Sequence, residues 1–259
     1  MTLDPRLVVI AAAQPYPLVF ATISGAHLYG FPSPDSDYDL RGAHILGVRD
    51  VIGLDRGPDT LEVSEISDGL DLDLVTHDIG KFATLLLKRN GYVLEQLYSP
   101  LVVAGGELHD ELKSIAAGCI TRHHVHHYLG FADAQWALFE KTGRLKPLLY
   151  TFRVLKTGIH LMRTGRVQAD ITALLAEHPQ VSYLQDLVDQ KRTGRERDPA
   201  PSDSGSRFED DVSTLRDALR QAHDDSPLPE APTNRPALHN LVVRARLALE
   251  SDRPSPGDS

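Results

Sequence analysis

A chain of 259 residues, 41% hydrophobic and 24% charged, has room for one large core or two modest ones and the composition of a soluble globular protein. Its formal net charge of -9, from 27 Lys+Arg against 36 Asp+Glu, argues against a protein that coats nucleic acid with its whole surface, though not against a local basic groove. Its one cysteine, Cys119, excludes an intramolecular disulfide and fits a reducing compartment, and no apolar run approaches the ~20 residues of a membrane helix.

The first 17 residues carry an early acid and no charged region before a long apolar core, so they do not predict a signal peptide, and a cytoplasmic protein is expected. Residues 5–13 predict a short helix ended by Gln14-Pro15-Tyr16-Pro17. The apolar, β-branched run 18-LVFATIS-24 predicts a buried strand, followed by Gly25 and a turn of helix up to Gly30. Prolines and serines make 31-FPSPDS-36 a loop, and 37-DYDLRGAHIL-46 reads as a second strand that opens on an acidic pair. Residues 50–63 show turn residues and little periodicity, whereas 69-GLDLDLVTHD-78 alternates as a third strand. From 78 to 100 the period becomes helical, with Asp78 as N-cap, Phe82, Leu85 and Leu86 on one face, and a break at Asn90-Gly91. Helical patterns fill about 107–141, 145–164, 167–190, 208–223 and 235–250, with Cys119 expected as a buried structural thiol, and no sheet signal returns. The polar segment 191–207 predicts a mobile loop and 251–259 a disordered tail. The chain is thus expected to divide into a small α/β domain, 1–105, and an all-helical domain, 106–250.

Asp37 and Asp39 stand two apart on the second strand, so both carboxylates project from one face. Like charges this close call for a cation, and Mg2+ (or Mn2+) is the hard ion that takes carboxylate oxygens and bridges to phosphates. A site for two ions needs a third carboxylate from a neighbouring strand. Asp73 within 71-DLDLV-75 is the candidate, with Asp71 as the same-face alternative. Upstream, Gly25 at a strand–helix junction lets backbone N–H groups approach an anion. A phosphate cradle facing two divalent ions suits nucleotidyl transfer, one ion activating the acceptor hydroxyl and the other holding the triphosphate. The competing reading is a loop of surface aspartates before an exposed edge strand. Within the stretch, Asp35 is read as turn chemistry after Pro34, Tyr29 as core at the base of the turn, and Ser36 as a loop-orienting hydroxyl before Asp37.

Residues 23–42 resemble the signature of the DNA polymerase β-type nucleotidyltransferase superfamily: an apolar residue, Gly-Ser or Gly-Gly, a spacer, Asp-apolar-Asp, and a later acidic strand residue. More narrowly they resemble bacterial and phage nucleotidyltransferases, the RNA-ligase-associated group among them, marked by Ser-Gly-Ser-His-x-Tyr-Gly and Ser-Asp-x-Asp-x-Arg-Gly. The matching residues are Ser24, Gly25, His27, Tyr29, Gly30, Ser36, Asp37, Asp39, Arg41 and Gly42. The match is good over residues 18–100 and weak in the helical half, through 146–158. It implies an α+β fold, a small mixed-sheet nucleotidyltransferase palm followed by an all-helical domain. It implies two Mg2+ (or Mn2+) ions held by Asp37, Asp39 and Asp73, with Asp73 also taking the acceptor's proton. An NTP, ATP included, would lie against Ser24, Gly25, Ala26, His27, Ser36 and Arg41. Ala26 departs from the pattern, standing where the group carries a serine that contacts the triphosphate; the lost hydroxyl is worth about 1 kcal/mol.

The basic run 141–166 is a local concentration of charge in an acidic chain, and Lys146, Tyr150 and Arg153 have the spacing of one helical face; the resemblance, in which the helical part closes over the nucleotide, implies that they contact it. The alternative for these residues is a solvated charged face. In 121-TRHHVHHYLG-130, His123 and His127 have the i, i+4 spacing of a zinc pair, without a third ligand at a fixed distance. The expected reaction is transfer of a nucleoside monophosphate from an NTP to an acceptor hydroxyl with release of pyrophosphate. An RNA or DNA 3′ end is the leading acceptor, and RNA repair the setting the resemblance implies. A small-molecule or protein hydroxyl, a non-catalytic nucleotide or RNA binder, and a zinc-dependent hydrolase are the alternatives.

Overall fold

The computed structural model describes residues 3–67, 70–177, 181–201 and 205–251. Strands β1 (Leu18–Ile23), β2 (Tyr38–His44), β3 (Thr60–Ser67), β4 (Leu70–Asp78) and β5 (Val102–Ala104) form a mixed sheet in the order β3-β4-β2-β1-β5. β2 and β4 run parallel, and every other pair is antiparallel. The parallel pairing brings Asp39 level with Asp73, so two carboxylates 34 positions apart in sequence stand side by side at one end of the sheet.

Strand alternation explains the layering. In β4, Leu70, Leu72 and Leu74 point inward while Asp71 is exposed and Asp73 half-buried. Those leucines meet Leu7 and Ala11 of the helix α1 (Pro5–Ala12), together with Ala21, Ile23 and Leu40 from the middle of the sheet. The opposite face carries Phe20 and Ala43 and packs on α4 (Ile79–Leu87), α5 (Gly91–Leu97) and α6 (Glu107–Ala117). Asp78 caps α4 as its alternation-to-helix switch predicts, its side chain accepting from Gly80 N at 2.9 Å.

Beyond α6 a 3₁₀ turn (Arg122–His124) leads into α7 (Val125–Thr142), α8 (Leu145–Thr164), α9 (Ile171–Glu177), α10 (Leu184–Thr193), α11 (Gly205–Asp224) and α12 (Arg235–Ser251). α8 is buried along most of its length between α7, α10 and α11. One continuous apolar core joins the sheet's helices to this bundle, from Phe20 and Tyr29 through Phe82, Tyr128 and Phe152 to Leu241. Each such side chain contributes about 1.5–3 kcal/mol when removed from water. α12 turns back onto α3 (Val48–Ile52), α4 and α6. Among the described residues no helix is long and apolar enough to cross a membrane.

Several elements differ from the pattern-based reading. Residues 60–67 form an edge strand instead of continuing the turn, because β3 pairs with β4 alone and has one neighbour to satisfy. β5, three residues long, is too short to leave a periodic signal. The long helix expected over 107–141 is broken at Gly118, and the one over 167–190 is two helices, α9 and α10, with 178–180 outside the described residues. Segment 191–207, expected to be mobile, closes α10 and opens α11, with 202–204 outside the described residues. Between the helices its backbone is tied down: Leu145 N donates to Asp198 O at 3.0 Å and Ala200 N to Gly143 O at 2.9 Å. The expected tail lies outside the described residues from 252 onward.

Candidate active site

Gly25 follows β1 directly and starts α2 (Gly25–Tyr29) with φ +59, in the left-handed region. A side chain there would also collide with a carboxylate, since a Cβ built on Gly25 falls 1.8 Å from Asp39 Oδ2. The turn is therefore glycine for two reasons, backbone conformation and the seat of Asp39. Ser24 N donates to Asp39 O at 2.8 Å, which locks the turn to β2.

Asp37 lies just before β2, and Asp39 and Arg41 follow on the same strand face. Arg41 Nη2 donates to Asp39 Oδ1 and to Asp73 Oδ2, both at 2.7 Å, and Nη1 donates to the Asp73 backbone oxygen. Arg41 Nε reaches Tyr92 Oη at 3.2 Å. The cation between Asp39 and Asp73 is thus a guanidinium from the strand of Asp39, and in this arrangement Arg41 is engaged by the two carboxylates. Burial raises the Asp39 carboxyl above its ordinary value of 3.8; Arg41 opposes that rise and Asp37 adds to it.

A cleft of about 850 Å³ opens on this end of the sheet, a size that suits a nucleotide. Gly25, Asp37 and Asp39 form one side, with Asn90 and Tyr92 of the α4–α5 junction beside them. α7 and α8 face them with Phe131, Gln135, Lys146 and Tyr150, and the turn after α10 adds Glu196 and Arg197. Tyr150 packs edge-on against Tyr29, ring centroids 5.3 Å apart, and lies 6.4 Å from Phe131. Lys146 pairs with Glu196, whose other oxygen accepts from Lys191 Nζ at 2.7 Å. Burial works to raise Glu196, but the two lysines hold it below its ordinary value. Lys191 is buried and also donates to Ser33 Oγ at 2.7 Å, while Asp35 accepts from Glu196 N at 3.0 Å. The loop before the acidic pair is clasped by residues more than 150 positions downstream.

Of the residues singled out in sequence, Gly25, Asp37, Asp39, Lys146 and Tyr150 line the cleft, and Asp73 joins them through Arg41. The others sit elsewhere. Ser24 is fully buried and Ala26 faces the core. Ser36 Oγ bonds Ser33 N at 3.0 Å, shaping the loop. His27 stacks on Tyr38 at 4.4 Å, and burial lowers its pKa. Arg153 is fully buried beneath the cleft, paired with Glu95 at 3.0 Å and stacked 3.7 Å from the Tyr29 ring centroid. Helical spacing placed Arg153 on the right face of α8 but could not show that Tyr29 covers it. Asn90 and Tyr92 went unassigned although Asn90 had a local signal: an asparagine ending one helical pattern and starting the next, here the N-cap of α5 accepting from Tyr92 N at 2.9 Å. Glu196 had none, since apart from Lys191 its partners are 50 residues away or further, on α8 and in the loop it clasps.

The zinc pair is split. His123 lies in the 3₁₀ turn, where i and i+3 eclipse, so its ring stacks with His126 at 6.0 Å and its Nε2 pairs with Glu230 at 2.7 Å. His127 instead lines the cleft. Among the described residues no group of three or more His, Cys, Asp or Glu is placed to hold a metal ion. That holds for the carboxylates too in this arrangement, in which Arg41 supplies the positive charge.

The model of a protein family, RlaP, described as the RNA repair pathway DNA polymerase beta family, matches residues 2–244. The chain belongs to that family. Membership makes it a polymerase β-type nucleotidyltransferase by descent, in agreement with the resemblance carried by residues 23–42. Uncharacterised protein MJ0002 of Methanocaldococcus jannaschii is 35% identical over 173 residues, covering 64% of this chain and 70% of its own. Uncharacterised protein YcgL of Bacillus subtilis is 26% identical over 190 residues, covering 70% and 72%. A solved nucleotidyltransferase-like protein from Exiguobacterium sibiricum 255-15 aligns over 96% of this chain and 80% of its own at 12% identity, with a TM-score of 0.33.

Proposed function

We propose that the protein transfers a nucleoside monophosphate from an NTP to the 3′ hydroxyl of a nucleic acid, RNA in the first place, releasing pyrophosphate in the cytoplasm. The observation that carries this reading is the side-by-side placement of Asp39 and Asp73 on parallel strands, beside Asp37, facing a nucleotide-sized cleft with cations on its far wall.

Asp37, Asp39 and Asp73 would hold divalent ions. The donor set fits, being hard oxygen ligands only, and Asp39 is a carboxylate raised in pKa by burial, which a nearby cation would relieve. When bound, Mg2+ or Mn2+ supplies charge to the triphosphate and acidifies a coordinated hydroxyl. The chain's own residues do the remainder. Lys146, Arg144 and Arg197 line the cleft and offer countercharge to the phosphates. Tyr150 and Phe131 present apolar faces to a nucleobase, and Gln135 and Asn90 offer amides to its edge. Asp73, 40% exposed at its side chain, would accept the proton of the attacking hydroxyl. Arg41 would have to exchange partners as cations load, passing from the carboxylates to the incoming phosphates.

The test is incorporation of labelled NTPs into RNA and DNA oligonucleotides by purified protein with Mg2+ or Mn2+. Wild type should extend RNA and Asp39→Asn should not. Equal incorporation by both proteins would overturn the assignment of the site. Transfer only to a protein or small-molecule hydroxyl would overturn the acceptor.

A further inference from the structure

A second groove adjoins the cleft. It has a volume of about 460 Å³ and is lined by Lys88, Arg89, Asn90, His123, His126 and His127, with no carboxylate in its wall. In a chain of net charge -9 such a wall is out of keeping with the surface at large. Glu230 reaches it only through His123 Nε2, at 2.7 Å, and among the described residues the side chains of Lys88 and Arg89, both exposed, meet no acid. Asn90 and His127 line the groove and the catalytic cleft together, so the two spaces share an edge.

The topology accounts for that placement. α4 starts at Asp78, level with His44 at the far end of β2, and runs back along the sheet. Its last turn therefore delivers Lys88 and Arg89 to the end where Asp39 and Asp73 stand. Three residues after Arg89, Tyr92 accepts from Arg41, the arginine that bridges those carboxylates. Arg89 is also the residue, among the described non-glycines, with positive φ, +63. A left-handed arginine at a helix end, where glycine is the usual occupant, keeps a long cation at a position that backbone conformation alone would not select.

We propose that this groove is the track of the acceptor strand, holding the phosphodiester backbone of single-stranded RNA whose 3′ end reaches Asp39 and Asp73 past Asn90 and His127. The inference rests on the nucleic-acid acceptor reading above and adds where that acceptor lies. The sequence-independent pull of Lys88 and Arg89 on phosphates holds the strand, and the histidine rings offer hydrogen bonds and stacking faces.

The experiment compares wild type, Lys88→Ala with Arg89→Gly, and a control that removes the same charge by the α3 end of the sheet, Arg49→Ala with Arg56→Ala. Fluorescence anisotropy with a labelled single-stranded RNA over a salt series gives affinity and its salt slope, and steady-state transfer gives separate KM values for RNA and NTP. The groove variant should bind RNA about tenfold more weakly, with the salt slope lowered by about 1.4 for two lost contacts, and its KM should rise for RNA and not for NTP. The control should bind as wild type does. If wild type extends RNA and the groove variant binds it equally well, the track is wrong and the acceptor reading stands. If KM rises for NTP instead, the groove serves the triphosphate and the inference falls. If wild type neither binds nor extends RNA, the acceptor reading falls and takes the track with it. Cooperative thermal melts no lower than that of wild type exclude misfolding as the cause of a loss.

Discussion

Two arginine–carboxylate pairs stand near the cleft, and their surroundings set them to different tasks. In the bundle, Arg153 and Glu95 are 0% and 2% exposed at their side chains, and Tyr29 covers the guanidinium. At the end of the sheet, Arg41 meets Asp39 and Asp73, whose side chains are 21% and 40% exposed. A competing ion has no route to the first pair, which can only be structural. The second pair stands beside the cleft, with both carboxylates partly exposed, where another cation can take the carboxylates and another anion the guanidinium. The same two functional groups make a fastener when enclosed and an exchangeable site when open.

The largest expected effect breaks the enclosed pair. Arg153→Met should destabilise the protein by about 3–5 kcal/mol in urea unfolding, because Glu95 is left buried without its partner. Arg153→Met combined with Glu95→Gln should recover much of that loss. In the open pair Asp39→Asn should lower transfer by about 10²–10³-fold while leaving unfolding close to wild type. Were the two phenotypes interchanged, with activity lost in the bundle and stability lost at the sheet end, the division into fastener and exchange site would fail.

Acid separates the regions next. Burial lowers His124 and His127 to about 4 from an ordinary 6.5, with neighbouring positive charge assisting. The unfolded chain takes up their protons first, so this stabilisation is complete above 6.5 and is lost as pH falls toward 4. For His124, which is buried, the loss is on the order of 3 kcal/mol. Asp39 works in the opposite sense: its raised pKa makes the native state hold a proton more tightly, so it costs stability as pH rises past 3.8. Melting temperature should therefore fall on acidification, and His124→Asn, which keeps an acceptor for Thr121 N, should flatten the dependence. The smallest effect concerns Arg89, which has no acid beside it. Arg89→Gly should raise stability by about 1 kcal/mol through relief of its left-handed backbone, a sign opposite to that of Arg153→Met.

What the sequence disclosed follows the range of its signals. Period-two alternation in 70–78 and the apolar run 18–24 located the central strands, and the Asp-x-Asp spacing put Asp37 and Asp39 on one face. The level pairing of Asp73 with Asp39 depended only on the identity of the neighbouring strand. By contrast β3 interleaves Glu62 and Ser64 with Leu61 and Val63, and its one-sided pairing tolerates that polarity, so nothing marked it as strand. The cations of α8 and the segment after α10 were visible as charge but not as partners. Lys146, Arg153 and Lys191 each meet an acid at least five residues away, and two of the three are withdrawn from solvent as a result. For Arg41 the resemblance implies a phosphate contact, and its bonds to Asp39 and Asp73 depend on a strand pairing that no local pattern reveals.

Arg246 on α12 ties the first part of the chain to the last. It donates to Leu46 O at 2.9 Å and pairs with Asp78 at 2.6 Å, across 200 and 168 residues of sequence. Asp78 is the carboxylate that starts α4, and α4 carries Lys88 and Arg89 to the working end of the sheet. During synthesis the sheet emerges long before Arg246 exists, so Asp78 leaves the ribosome without its cation and acquires it only 168 residues later. Separations of this length slow folding, and they give the nascent sheet a waiting period in which its helices are only partly held. The helix that carries Lys88 and Arg89 is thus braced at its start by a residue from far along the chain.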